Sequence, residues 1–316
     1  MKRMEKRETI SVIVPCYNEE ASLPRFYRET KAVLQTIDSA DYEMVFVDDG
    51  STDQTLGILR RLADEDSRCR YVSFSRNFGK EAGMYAGLSE ASGDYCVIMD
   101  ADLQHPPALL VPMYQAVHEE GYDCCGGKRC GRDGDGAVRS LCSRLFYKIG
   151  KKLTHMDMSD GYGDFRMMNR AMTDAVLEMK EYNRYMKGIY SFVGFQTKWI
   201  EFENVERTQG ESKWSFRSLL SYAGEGIFAF SAVPLKAAGI VGGLLLAAAL
   251  VLLLLKLAAG IFRLPLADFS GIGILLIFLF LLSGLQMLFL YIIGIYLSKD
   301  CLENKKRPIY IVREKK

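Results

Sequence analysis

The stretch Tyr95-Cys-Val-Ile-Met-Asp-Ala-Asp-Leu-Gln104 decides how the rest of the chain reads. A short, apolar, β-rich run ends in two carboxylates one residue apart, the pattern of a buried strand leaving the core at the rim of a sheet. Two carboxylates that close repel each other unless a cation or several donors sit between them. Hard oxygen donors suit Mg²⁺ or Mn²⁺, ions that commonly bridge to substrate phosphates. An Asp-x-Asp triplet alone is a weak motif, so its surroundings must carry the argument.

Upstream, β-rich runs alternate with helical patterns: Ile10-Ser-Val-Ile-Val14, a helix over 21–37, Tyr42-Glu-Met-Val-Phe-Val47, a helix over 53–65, Arg70-Tyr-Val-Ser-Phe74 and a helix over 80–91. This alternation predicts βαβ units and a mostly parallel sheet in an α/β fold. Each strand is followed by a polar loop: Pro15-Cys-Tyr-Asn-Glu-Glu20, Asp48-Asp-Gly-Ser-Thr-Asp53, Ser75-Arg-Asn-Phe-Gly-Lys-Glu81 and Asp100-Ala-Asp-Leu-Gln-His-Pro-Pro107. Open α/β sheets bind ligands outside the carboxyl ends of their strands, so these loops should share one rim. Each also has a plain structural reading. The Asp48 loop could be only a turn with a helix cap, and the Pro15 loop a helix start with favourable acids in its first turn.

Downstream the composition changes. The 316 residues suggest about two structural units. Forty basic and 39 acidic side chains leave a net charge of +1, which argues against a nucleic-acid binder. Charge is absent where it would normally be found, because only Lys236, Lys256, Arg263 and Asp268 fall in residues 235–298. The uncharged runs 237–255 and 269–298 are 19 and 30 residues long. Nineteen helical residues span roughly 28 Å, about one hydrocarbon core, so two transmembrane helices joined by a short loop at 256–268 are expected. The charged first nine residues lack an apolar region behind them, so neither run is a signal peptide. The tail 299–316 has seven basic and three acidic residues, which places it on the cytoplasmic side. Two spans return the chain to its starting side, and eight cysteines with no Cys-x-x-Cys pair fit a reducing compartment. The expected organisation is a cytoplasmic catalytic domain over 1–213, interfacial amphipathic helices over 214–234, a two-helix anchor over 235–298, and a basic cytoplasmic tail over 299–316. The site is then the cell inner membrane, with a multi-pass chain. Gly239, Gly242 and Gly243 would permit close helix contact, leaving a homo-oligomer open.

Taken together, P-x-Y-N-E, D-D-G-S-x-D, R-N-F-G-K, D-A-D-L-Q-x-P-P, G-D-F-R and R-x-x-G-x-S-K-W occur in this order over residues 15–214. The set resembles the family 2 inverting glycosyltransferases with a GT-A fold (Rossmann-like, mostly parallel sheet). Within them it resembles the polyprenyl-phosphate enzymes of the dolichyl-phosphate mannose synthase and bactoprenol glucosyltransferase kind. The two C-terminal spans and the tail Lys306-Arg-Pro-Ile-Tyr-Ile-Val312 favour the latter branch.

The resemblance implies specific roles. Pro15, Tyr17, Glu19, Val47 and Asp49 would hold the nucleoside, with carboxylates accepting from base N–H groups. Asp100, Ala101, Asp102 and Gln104 would line the diphosphate, and Asp102 and Gln104 would ligate Mg²⁺ or Mn²⁺. Arg129, Arg207 and Lys213 would grip diphosphate oxygens. Arg139, Ser143 and Lys148 are the acceptor candidates, with an ordinary polar helix face as the alternative. Asp164 matches the residue assigned as base, with Asp160 as a competitor and an orienting role as an alternative; Asp160-Gly-Tyr-Gly-Asp164 reads as a loop over the sugar. The implied reaction is in-line attack of undecaprenyl phosphate on C1 of a nucleotide-sugar, with UDP-glucose as the donor. GDP-mannose, a UDP-N-acetylhexosamine and a modified arabinose donor remain open, as does a non-catalytic nucleotide-sugar-binding protein. One departure is Ile295 in Gly294-Ile-Tyr296, where relatives often carry a basic residue. A D-x-D-x-T phosphatase pattern, a G-x-S-x-G elbow and a Walker A sequence are all absent.

Overall fold

The computed structural model describes residues 7–130, 162–203 and 271–316, together with helical positions 240, 241, 244, 247 and 251. The 214–234 segment, most of the first expected span, Asp160, Arg207, Lys213, Arg139, Ser143 and Lys148 lie outside the described residues. The chain divides into two compact units, one of Met1–Gly226 with Arg307–Lys316 and one of Ile227–Lys306.

In the first unit, β1 (Glu8–Cys16), β2 (Ala40–Asp48), β3 (Cys69–Phe74) and β4 (Tyr95–Ile98) are parallel, as the alternation predicts. Four further strands complete the sheet: β5 (Cys124–Cys130), β6 (Tyr162–Asn169), β7 (Thr197–Glu203) and β8 (Val312–Lys315). The order is β7-β5-β6-β4-β1-β2-β3-β8. Because β1 lies between β2 and β4, the chain leaves it in opposite directions, which opens a crevice above its carboxyl end.

The central strands are buried on both faces, which is why they read as continuous Val/Ile runs rather than as alternation. Ile10, Val12 and Val14 join one core with Met44 and Phe46. Helix α1 (Leu23–Leu34) adds Leu23, Phe26 and Leu34, and α2 (Thr55–Glu65) adds Ile58, Leu59 and Leu62, each on a three-to-four-residue stripe. Helix α4 (Leu110–His118) supplies Leu110, Met113 and Tyr114 to the same core.

The opposite face is covered by α3 (Lys80–Glu90), which packs unusually closely. A methyl group at Gly87 would stand 2.2 Å from Ile13 Cγ2, so the helix can lie on β1 only because it has glycine there. This close approach sets the position of Lys80, the first residue of the helix.

Strand β6 is antiparallel to both β4 and β5, so its first residues lie where those strands end. Asp164 is therefore a strand residue. The described part of the expected loop, Tyr162-Gly-Asp164, belongs to β6. Two short helices, α5 (Arg170–Glu178) and α6 (Met186–Phe192), lie between β6 and β7 in the chain.

The tail carries order that its charged sequence does not signal. Strand β8 pairs antiparallel with β3, Val72 opposite Lys315 and Ser73 opposite Glu314. Tyr71 and Lys316 exchange backbone N–H···O bonds of 3.0 Å each way. Arg60 grips Glu314 bidentately at 2.8 and 2.7 Å, and Lys315 meets Glu90 at 2.7 Å.

In the second unit, α7 (Gly271–Asn304) is uniformly apolar through most of its length. Its Leu282–Asn304 portion is, among the described residues, the one helix long and apolar enough to cross a membrane, and none of it is buried in the protein.

Candidate active site

The rim above β1, β2 and β4 is assembled by backbone geometry first. Pro15 pairs with Val47 and Cys16 with Asp48, so the first two loops start side by side. The Asp49 N–H donates to the Cys16 carbonyl at 2.9 Å. Asn18, at φ 55°, accepts from Thr52 N–H through its side chain at 2.9 Å, and the Glu19 N–H donates to Thr55 Oγ1 at 2.8 Å. Tyr17 stands partly exposed at the mouth of this crevice.

The three carboxylates of the second loop divide their work. Asp48 is buried and accepts from Ser51 N–H and Ser73 Oγ, while Asp53 accepts from Glu20 and Thr55 N–H groups. These two satisfy the turn half of the plain reading, while the N-cap of α2, Gln54, makes no side-chain cap bond. Asp49 does more. Its oxygens accept from Phe78 N–H at 2.6 Å and Gly79 N–H at 2.9 Å, tying the third loop across the crevice. Burial pushes its carboxyl up to about 6, against the lowering effect of these two amides.

The register of β4 on β6 runs from Tyr95 opposite Asn169 to Ile98 opposite Arg166. Continued by two residues, it sets Asp164 opposite Asp100. Lys80 stands between these like charges, with Nζ 2.7 Å from Asp100 and 3.4 Å from Asp164. Burial would raise the Asp100 carboxyl, but the Lys80 ammonium, His105 and Arg129 hold it down to about 2. Asp164 responds in the same direction, with burial opposed mainly by Lys80 and then Lys187. One Asp164 oxygen, Oδ1, is buried with no hydrogen-bond partner among the described residues. Lys80 lies within the R-N-F-G-K run, yet nothing in the sequence marks it as the counter-ion of two aspartates.

Beyond Asp100 and the buried Ala101 the chain makes a tight turn in which Leu103 has φ 59° and Gln104 N–H donates to Asp102 Oδ1 at 3.1 Å. Arg129 lies within β5 and donates to Gln104 Oε1 at 3.4 Å. His105 is buried and stacked on Phe165 at 4.7 Å, so it anchors the loop.

The donor set at this turn fits a divalent cation. Asp102 and Gln104 offer hard oxygens, and Asp100 is already matched by Lys80. No group of three or more carboxylate, imidazole or thiolate side chains converges among the described residues. Remaining coordination positions would fall to substrate phosphates and water, the usual arrangement for Mg²⁺-type ions. The turn therefore brings Asp102, Gln104 and Arg129 together next to Asp100, and the β4–β6 register continued by two residues sets Asp164 across from Asp100.

Comparison with known proteins agrees with this architecture. The profile described as glycosyl transferase family 2 matches residues 11–177. CsbB of Bacillus subtilis (strain 168), a glycosyltransferase by name, is 40% identical over 312 residues, 98% of this chain and 92% of that one. A protein of Escherichia coli (strain K12) named prophage bactoprenol glucosyl transferase homolog is 34% identical over 97% of this chain and 99% of its own. The bactoprenol glucosyl transferase of Shigella phage SfV is also 34% identical, over 97% of this chain and 99% of its own.

Proposed function

This chain belongs to glycosyl transferase family 2, and we propose that it transfers a hexose from a nucleotide-sugar to undecaprenyl phosphate at the cytoplasmic face of the inner membrane. The observation that carries this reading is the length of the likeness. Relatives named bactoprenol glucosyl transferases align along 97% of the chain, including its apolar C-terminal part, so a lipid-linked acceptor is favoured along with sugar transfer. UDP-glucose is the proposed donor, and the product would serve cell-envelope glycosylation. Two spans, over 237–255 and 269–298, are proposed to hold the catalytic domain at the membrane.

The residues divide as follows. Asp49 accepts a base N–H, with Pro15, Tyr17, Glu19 and Val47 packing around the nucleoside. Asp102 and Gln104 hold Mg²⁺ or Mn²⁺, which when bound would offset charge on the leaving diphosphate. Arg129 adds a guanidinium beside Gln104, and Arg207 and Lys213 are proposed to join it. Lys80 balances Asp100 and Asp164 and keeps both ionised.

A phosphate monoester is already anionic at neutral pH, with a second pKa near about 6, so the nucleophile needs orientation more than deprotonation. An aspartate held low by a lysine is a poor proton acceptor. Asp164 therefore fits an orienting role towards a sugar hydroxyl or the acceptor, with Oδ1, which has no hydrogen-bond partner among the described residues, available for that contact. The acceptor phosphate attacks C1 in line and inverts the anomeric centre, and the nucleoside diphosphate leaves.

The test is direct. Purified full-length protein in detergent should release UDP from UDP-glucose only when undecaprenyl phosphate and Mg²⁺ or Mn²⁺ are both present. Asp102→Ala should reduce turnover by at least about a hundredfold, as expected when a ligand stabilising developing charge is removed. Undiminished turnover in that variant, or in the parent protein with metal chelated, would withdraw the metal assignment. Substituting GDP-mannose or UDP-N-acetylglucosamine in the same assay identifies the donor.

A further inference from the structure

The third loop, residues 75–79, is held from two sides. On its inner side it closes on Asp49 through the Phe78 and Gly79 amides. It also lies directly on Gly50, where an added methyl group would stand 2.5 Å from the Arg76 carbonyl carbon. On its outer side it meets the C-terminal tail. The Ser75 N–H donates to the Ile311 carbonyl at 2.9 Å, fixing the start of the loop.

The Tyr310 ring stacks on Phe74 with centroids 4.8 Å apart and planes 20° from parallel. Phe74 in turn meets Phe78 edge-on at 5.8 Å. Ile309, Tyr310 and Phe78 all pack against the small core of Val47, Val72, Phe74, Ala82 and Ala86 on the α3 side of the sheet. A continuous series of contacts thus runs from the tail, through Phe74 and Phe78, to the carboxylate that faces the crevice. Val47, placed beside the nucleoside, belongs to the same cluster.

We propose that the tail 309–316 is a working part of the nucleotide pocket, in which Tyr310 is a positioning residue that holds Phe78 and the 75–79 loop against Asp49 and so sets affinity for the base of the donor. The inference rests on the reading of this rim as a nucleotide-sugar site. Tyr310 touches neither the diphosphate turn nor Asp164 among the described contacts, so its effect should be confined to the nucleoside half of the donor. Edge-to-face and stacked aromatic pairs of this kind are worth enough to shift an equilibrium by about two- to tenfold.

The experiment measures binding of UDP, GDP and inorganic pyrophosphate, each with Mg²⁺, to the full-length protein in detergent by calorimetry. Tyr310→Ala should weaken the preferred nucleoside diphosphate about five- to tenfold and leave pyrophosphate within about twofold. Tyr310→Phe, which keeps the stacked ring, should bind as the parent does, and the acceptor KM should not move. Tyr310→Leu serves in the same comparison if the alanine variant does not fold. Equal weakening of nucleotide and pyrophosphate, or no weakening in a folded variant, overturns the proposal. If the parent protein binds neither nucleotide, the reading of the site fails along with it.

Discussion

At the residue scale, the deciding arrangement is one lysine between two aspartates. Lys80→Met would leave Asp100 and Asp164 facing each other with nothing between them, and two such carboxylates cannot both ionise freely. The acid limb of the kcat-against-pH profile should move up by about one unit or more, with kcat reduced at least about tenfold at neutral pH. A limb that stays in place would separate Lys80 from the charge balance. Asp49 makes a second prediction of opposite sign. Its folded value of about 6 lies above the 3.8 of an unperturbed aspartate, so between these values the folded chain holds a proton that the unfolded chain has lost. Its contribution therefore favours folding at the acid end and is lost as pH rises through about 6. For binding, the ionised form is the stronger acceptor of a base N–H, so donor KM should rise as pH falls below about 6. Asp49→Asn should flatten that dependence and raise KM about tenfold or more at pH 7.5. Asp100 was legible, because it forms with Asp102 a carboxylate pair at a strand end that needs an explanation, whereas Asp164 was read only through the resemblance. Their shared partner was not legible, since Lys80 lies 20 residues from Asp100 and reaches it only through the close packing of α3 on β1.

At the scale of elements, the parallel strands were legible because burial on both faces leaves uninterrupted Val/Ile runs, bounded by turn residues. Predicted and observed bounds differ by a few residues at most for β1 to β4, and the described ends of α1 to α3 fall inside the predicted spans. Strand β6 was harder. Asp160-Gly-Tyr-Gly-Asp164 reads as a glycine-bearing loop, and antiparallel pairing in the middle of a parallel sheet has no local signature. Only the register shows that Asp164 faces Asp100. The turn after β2 gives a prediction of its own. Gly50 has φ 67°, and any side chain there would run into the Arg76 backbone. Gly50→Ala should cost about 1–3 kcal/mol through strain and overpacking. Thermal unfolding would show this as a drop in Tm of several degrees. The same variant should raise donor KM, because the displaced loop carries the two amides that hold Asp49.

On the scale of the whole molecule, two physical environments share one sequence. The charged unit folds around a sheet, whereas α7 presents Leu275, Leu282, Leu288, Leu290 and Ile293 outward, which is stable only where no water meets them. Leu288→Arg places a charge in the middle of that stretch, at an insertion cost of about 2.5–3.5 kcal/mol. The share of protein retained in membranes after alkaline washing should fall, and full retention would argue against a spanning α7. The lack of charge made this helix legible from composition alone. The last strand was not legible, because Val312-Arg-Glu-Lys315 has no alternation and three charged residues out of four. It is an edge strand whose charges pair with Arg60, Glu90 and Asp64, and charged edges of this kind protect a sheet from pairing with other chains.

That edge also sets an order of events. Tyr71 and Lys316 are neighbours in the sheet but are 245 residues apart along the chain. Chains emerge from the ribosome at about 5–20 residues per second, and early segments fold first. For the many seconds needed to make everything after β3, its outer edge has no partner. The strand that covers it is made only after the apolar helix has been synthesised. The protein therefore closes this edge of its sheet late, and a chain cut short between the apolar helix and β8 would have an open, aggregation-prone edge.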